Sequence, residues 1–373
     1  MKLSCTQENL AKGLSIVGRI ATSRATLPIL ANILISTDKG RLRLASTDLE
    51  IAITTRVSAK IDQDGGLTIP SRTINDFVIT NNDLALDLNI SKNTLNIKSD
   101  HYEANINGIE IGEYPLIPTI TEPEICRIPA DKFREAIAHT SFAASTDETR
   151  PILNGINFHF SKDEIRLVAT DSYRLAEAKI KGSKLITEHG DIVVPTRTMI
   201  ELARIIQPSD GIVKIFLSEN QIAFVFGNTE VISRLIEGSF PAYQQIIPST
   251  SQAKVILKSS ELTNALKMSS LFAKESANNV KIKVQGNQVQ IIAVSPQLGD
   301  NTATLVSTTE GGELEIAFNA RYILDALSII GSEEVRLDLN EINPNKDRKP
   351  SILKPKTNSD YLYIIMPLDV QNN

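Results

Sequence analysis

Residues 27–35 read LPILANILI, and residues 150–158 read RPILNGINF, so that Pro28-Ile29-Leu30 and Pro151-Ile152-Leu153 stand 123 residues apart. The same spacing separates Asp48, in Ala45-Ser46-Thr47-Asp48, from Asp171, in Val168-Ala169-Thr170-Asp171. Further out, IPSRTINDFV around Arg72 recurs as VPTRTMIELA around Arg197 and as FNARYILDAL around Arg321. The message is therefore written three times. Each copy closes alike, with Tyr114-Pro115, Phe240-Pro241 and Met366-Pro367 placing proline at intervals of 126 residues. A period this long exceeds any solenoid or propeller unit, so each copy reads as a whole domain. The expected domains are 1–120, 125–248 and 254–373, joined by short polar linkers at residues 119–124 and 249–253.

Length agrees, because 373 residues are too many for one core and suit three domains of ordinary size. With 42% hydrophobic and 22% charged residues the chain is a folding, globular one. No apolar run is long enough to cross a bilayer, and MKLSCTQENL carries no apolar signal core, which predicts a cytoplasmic protein without a membrane partner. Cys5 and Cys126 each stand near the start of a copy and read as small apolar core positions rather than a disulfide. The net charge of −5 excludes a broadly basic nucleic-acid binder. It leaves open a protein that holds DNA without gripping it.

Every copy begins with helical spacing: Leu10, Leu14, Val17; Phe133, Ile137, Thr140; Leu262, Leu266, Ser269. Alternating segments and turns follow, at Asp38-Lys39-Gly40, Lys162-Asp163 and Gly286-Asn287, as antiparallel hairpins require. The Arg-containing segment supplies a second helix, with Ile74, Phe77 and Val78, then Met199, Leu202 and Ala203, then Ile323, Ala326 and Leu327 on its apolar face. More strands follow, at 84–90, 212–217 and 335–339. The fold class is α+β, three similar domains each with two helices packed on antiparallel sheets. Three such domains on short linkers form an arc that can close with a copy of itself.

Catalytic constellations are missing. No glycine-rich stretch matches a phosphate loop or a dinucleotide fingerprint. The four histidines, His101, His139, His159 and His189, have no metal-ligand spacing, and His159, between Phe158 and Phe160, is expected to face solvent. Asp48 and Asp171 could be catalytic carboxylates, but the third copy reads Ala293-Val294-Ser295-Pro296, so a turn in which Asp bonds local backbone is the better reading. No cofactor, no metal and no enzymatic activity are expected. On the helical segments Lys12, Arg19, Arg24, Arg72, Lys132, Arg134, Arg197, Arg204, Lys267, Lys274 and Arg321 outnumber Glu8, Asp76, Asp131, Glu135, Glu201, Glu261, Glu275 and Asp325, a slight positive bias inside a negative chain.

Taken in order and spacing, these repeats, with Thr47-Asp48-Leu49-Glu50, residues 150–155, Arg174-Leu175-Ala176, residues 238–241 with Tyr243, and the Met366-Pro367 ending, resemble the bacterial DNA polymerase III beta subunit family, the sliding clamps. The resemblance covers essentially the whole chain. It implies a head-to-tail homodimeric ring of six domains that encircles duplex DNA independently of sequence, slides along it, and acts as a processivity factor by tethering polymerase. Implied partners are the DNA polymerase III alpha subunit, a clamp loader, and other polymerases and repair proteins carrying clamp-binding motifs.

By matching position, Arg24 and Arg72 would contact DNA, and Arg197 and Arg321 share the place of Arg72 in the other copies. A partner-peptide pocket would comprise Leu153, Thr170, Ser172, Tyr173, Arg174, Leu175, Pro241, Ile246, Ser351, Ile364, Met366, Pro367 and Leu368, an apolar set with a few hydroxyls suited to an extended motif. The dimer interface would use Phe77, Lys98, Leu271 and Phe272, since the edge Gln297-Leu298-Gly299-Asp300 is poor in acids and the opposite edge offers Lys98 and His101. Competing readings are a repeat-built scaffold without DNA encirclement and a hydrolase using Asp48 or Asp171.

Overall fold

Six α-helices stand among the described residues, two per repeat: α1 (Gln7–Val17), α2 (Ser71–Thr80), α3 (Ala130–Ser141), α4 (Thr196–Ile205), α5 (Ser259–Ala273) and α6 (Ala320–Ile330). This computed structural model describes residues 1–21, 27–119, 121–162, 164–186, 189–340, 349–357 and 360–368. The spacing rule selects the buried faces correctly. Leu10, Leu14 and Val17 of α1, Phe133, Ile137 and Thr140 of α3, and Leu262, Leu266 and Ser269 of α5 are all fully buried. Thr6 starts α1 by accepting the Asn9 amide on its hydroxyl, which satisfies a donor the first turn would leave open. In the second helices Ile74, Val78, Met199, Leu202, Ile323 and Ala326 are buried, while Phe77 and Ala203 are half-buried.

All strand pairings within the four sheets are antiparallel. The first hairpin joins Asn32–Asp38 to Arg41–Thr47 through Lys39 (φ 50°) and Gly40 (φ 74°), the two left-handed residues that a tight two-residue turn demands. Strands predicted at 84–90, 212–217 and 335–339 are found at Ala85–Ser91, Ile212–Leu217 and Glu334–Leu339.

By contact the chain divides into two compact units. One comprises Met1–Asp131, Lys184–Glu188 and Glu201–Leu235; the other comprises Lys132–Ser183, His189–Ile200 and Ile236–Asn373. The middle repeat is shared out because its sheets are shared. In the first unit Ile51–Val57, from repeat one, pairs with Thr229–Arg234, from repeat two, inside a nine-stranded sheet. In the second, Arg174–Lys181 pairs with Tyr361–Ile365 in the same way. Thus the third strand of one repeat's opening meander always joins the last strand of the next repeat. Gly299–Val306 occupies that place in repeat three, and it is the edge of a four-stranded sheet. Glu103–Asn107, the last strand of repeat one, is the edge of a five-stranded sheet.

Both cysteines are buried and unpaired with each other, as the sequence reading expects. Burial pushes each thiol up to about 12, helped by Asp87 for Cys5 and by Glu124 for Cys126. At pH 8 only on the order of one thiol in ten thousand is then ionised. We expect a thiol-specific disulfide reagent to leave both unmodified in the native protein and to titrate both in urea; rapid native modification would show that either strand end opens.

Candidate functional site

The three repeated arginines occupy one structural place. Arg72, Arg197 and Arg321 are each the second residue of α2, α4 and α6, and all three side chains are exposed. A cation there opposes the helix dipole and costs a few tenths to about 1 kcal/mol. The opening helices behave conventionally, with Glu8, Asp131 and Glu261 in their first turns, whereas the second helices have no acid in theirs. Helix stability does not explain that choice; a positive end supplied with a guanidinium suits phosphate. Asp76 lies 3.7 Å from Arg72, a solvent-exposed pair one turn away that contributes little. Lys12, Arg19, Lys132, Arg134, Arg204, Lys267 and Lys274 are exposed as well, Arg19 and Arg204 both approaching Glu201. Arg24 lies outside the described residues.

Within the second unit a cavity of about 470 Å³ is lined by residues 245–250, Lys349, Pro350 and Met366. Of the residues assigned to a pocket from sequence, Ile246 (47% exposed) and Met366 meet here. Lys349, Ile247 and Pro350 were missed; Lys349 and Pro350 follow an insertion particular to the third repeat, where the copies give no guide. Beneath the cavity Val168, Leu175, Tyr243, Ile352 and Ile364 form a buried cluster with Ile247 packed on it. Leu175 and Ile364 are therefore floor, not lining. Tyr243 is pinned by a 2.6 Å hydrogen bond from its hydroxyl to the buried Glu177, and burial together with that carboxylate raises its pKa above the ordinary value.

Tyr173 is exposed, and its carbonyl accepts the Met366 amide at 2.9 Å, which ties the chain's last strand to the turn after Thr170. Thr170 is buried; its hydroxyl donates to the Arg174 carbonyl and accepts from the Ser172 amide. Pro241 is exposed at the start of the Tyr243 turn. Leu153 and Ser351 are buried, the latter accepting the Asn340 amide. Pro367 is also buried, and Leu368 donates its amide to Ala317 at 2.8 Å. The 366–368 segment is thus bound through Met366 to repeat two and through Leu368 to repeat three.

Arg174 faces away from solvent. Its guanidinium bonds Asp171, Asp325 and the Phe142 carbonyl and lies over the Phe142 and Tyr322 rings, leaving the side chain 12% exposed. Burial opposes its charge, but the Tyr363 hydroxyl and the Asp325 and Asp171 carboxylates outweigh that and hold its pKa above the ordinary value. It clamps repeat two to repeat three.

The turns at Asp48 and Asp171 are as read from sequence: each Oδ1 accepts two amides, from Glu50 and Ile51 and from Tyr173 and Arg174. His159 is half-buried and bonds Asp191 at 2.7 Å, so it faces a carboxylate rather than bulk solvent alone. Among the described residues no group of His, Cys, Asp and Glu could hold a metal ion, and no helix is long and apolar enough to cross a membrane.

Some of the exposed apolar residues stand in the two repeats that carry the open sheet edges. Leu271 (61% exposed), Leu298 and Val306 lie in repeat three, with Phe272 half-buried, and Ile79, Leu84 and Tyr102 lie in repeat one beside half-buried Phe77. Lys98 is exposed and 4.0 Å from Glu103. Asp83 is held down to about 2 by the Ser99 hydroxyl and by His101, whose own pKa Asp83 raises.

Models of the N-terminal, central and C-terminal domains of the DNA polymerase III beta subunit match residues 1–118, 127–242 and 244–369. The chain belongs to the DNA polymerase III beta subunit family. A beta sliding clamp of Staphylococcus aureus is 32% identical over 92% of this chain and 93% of its own length. The crystal structure of the DNA polymerase sliding clamp of Bacillus subtilis superposes with a TM-score of 0.90 at 29% identity, covering 99% of both chains. A Pseudomonas aeruginosa sliding clamp bound to griselimycin gives 0.92 at 27% identity, over 99% of this chain and all of that one. The fold of three domains, each with helices on antiparallel sheets, is that of the sliding clamps.

Because Arg174 is a buried, multiply bonded cation, Arg174→Ala should destabilise the protein by about 3 kcal/mol by stranding Asp325 and Asp171. Urea unfolding measures this. A native-like midpoint would mean that the arginine's bonds contribute little to joining the two repeats.

Proposed function

We propose that this chain is a DNA polymerase processivity factor: two copies close head to tail into a ring that encircles duplex DNA, slides, and tethers the polymerase. The open strand edges carry this reading. Inside the chain, the Gly299–Val306 type of strand is twice joined to the Glu103–Asn107 type of strand from the next repeat. Repeat three offers the first without a partner and repeat one the second, both at sheet edges. A second copy supplies both missing pairings at once; Leu271 and Phe272 lie on α5, which packs against Gly299–Val306, Lys98 pairs with Glu103 at the other edge, and Phe77 is half-buried in the same repeat. The structural domains are then 1–120, 125–248 and 254–373, six to a ring.

Membership of the sliding-clamp family favours this over a scaffold without DNA. Arg24, Arg72, Arg197 and Arg321 are the DNA-facing arginines, weak contacts that a topologically linked ring does not need to make strong. The cavity at Ile246 and Met366, with its floor of Leu175 and Ile364 and its neighbours Leu153, Thr170, Ser172, Tyr173, Pro241, Ser351, Pro367 and Leu368, receives extended peptide motifs. Arg174 braces that site from behind. Partners are the polymerase alpha subunit, a clamp loader, and other polymerases and repair proteins that share the pocket. The protein works in the cytoplasm, without cofactor and without catalysis of its own.

Loaded by a clamp loader on nicked circular DNA, the protein should stay bound through gel filtration and be lost once the circle is linearised. Equal retention on both forms would overturn encirclement. Replacing Leu271 and Phe272 together by Ala should weaken the dimer by roughly 2–4 kcal/mol, seen as monomers in sedimentation at nanomolar concentration. A dimer that persists would move the interface elsewhere.

A further inference from the structure

The first unit contains a second groove, at repeat positions that in the second unit adjoin the cavity at Met366. An opening of about 240 Å³ is lined by Leu49, Glu50, Leu116, Pro118, Ile232 and Arg234, among others. Leu49 and Glu50 are the repeat equivalents of Ser172 and Tyr173. Strand register fixes the other wall: Thr55 pairs with Thr229 as Ala178 pairs with Tyr361, so Ile232 and Arg234 stand where Ile364 and Met366 stand in the later repeat. The turn that shapes the groove is duplicated to the backbone angle. Leu49 has φ 78° and Ser172 has φ 80°, and each donates its amide to the preceding Thr hydroxyl. Leucine avoids that conformation. Here it is imposed, and it presents a side chain 45% exposed beside Leu116, which is 96% exposed.

The chemistry of the two grooves differs at the mouth. Where the later repeats have Tyr173 and Met366, this groove has Glu50 and Arg234, both about three-fifths exposed and 3.9 Å apart, beyond hydrogen-bond distance. An incoming carboxylate can displace Glu50 from Arg234 and form the bidentate bond that Glu50 does not. We propose that this groove is a second docking site, for an extended partner segment in which a large apolar residue, seated on Leu49 and Leu116, adjoins an Asp or Glu that pairs with Arg234. The inference rests on reading the later pocket as a peptide site, and the two are separable in one experiment.

Methyl spectra of the full-length protein labelled at isoleucine would be recorded against the peptides Gly-Asp-Leu-Phe-Gly and Gly-Asn-Leu-Phe-Gly. Ile51 and Ile232 report this groove; Ile246 and Ile364 report the later pocket, so failure there is seen independently. The acidic peptide should shift Ile51 and Ile232 to saturation, and its affinity there should fall about tenfold with the Asn peptide or in Arg234→Ala. Leu116→Ser, at a position too exposed to matter to folding, should weaken both peptides at this groove. The proposal is overturned if Ile51 and Ile232 stay still at millimolar peptide in a natively folded sample, or respond equally in Arg234→Ala. It is overturned as well if they shift on concentrating the protein alone, which would make a second copy the occupant.

Discussion

The antiparallel pairing that carries a strand of one repeat into the sheet of the next is the constraint on which the rest of the molecule depends. A repeat of this kind cannot finish its own sheets: the Ile51–Val57 and Arg174–Lys181 strands each need a neighbour that lies in the following repeat. Backbone hydrogen bonds left open along a strand edge invite another chain. The fold meets that demand twice internally and leaves it unmet once, at opposite ends of the sequence. A monomer with one unpaired edge of each kind is suited to self-association.

A ring changes what the charge balance means. For an open binder, a net charge of −5 would oppose association with DNA, since affinity grows with the number of phosphates neutralised. For a closed ring, retention is set by topology, and tight phosphate contacts would only impede sliding. The arrangement found here fits that requirement: a few exposed arginines at helix N-termini, several of the other basic residues shared with nearby acids, and screening over about 8 Å at physiological salt.

Local signals in the sequence carried the helices and the hairpins. Leu10, Leu14 and Val17 announce one buried face because helical spacing is a property of neighbours, and Lys39-Gly40 announces a turn because few residues accept a left-handed backbone. Strand sharing was not legible, because which strand Arg174–Lys181 meets depends on residues almost two hundred positions away. That miss propagated to the candidate pocket. Arg174 stands among the pocket residues in the sequence reading, whereas its partners Asp325, Phe142 and Tyr322 come from other elements and draw it inward. Leu175 and Ile364 alternate along strands that the sequence does not pair, so nothing local tells floor from lining. Ile246 was within reach, since a short turn next to Pro241 leaves an isoleucine little to pack on.

The third repeat keeps the turn without the Asp. Ser295 takes over the duty of Asp48 and Asp171, its hydroxyl accepting the Gln297 and Leu298 amides at 3.3 and 3.2 Å. The turn keeps its shape with a neutral acceptor. In the first two repeats the turn lies beside a strand already paired within the chain, where a carboxylate is compensated by Arg174 or by local amides. In the third it borders the open edge at Gly299–Val306. The complementary edge carries Glu103, with Asp83 close by in the same repeat and committed to His101. The open edge itself keeps Asp300, and Glu275 accepts the Ser295 hydroxyl at 3.3 Å, so acids stand at this turn as well. What changes is the acceptor of the turn amides: Pro296 stands where Asp48 and Asp171 stand, and Ser295, at the place of Thr47 and Thr170, holds those amides instead.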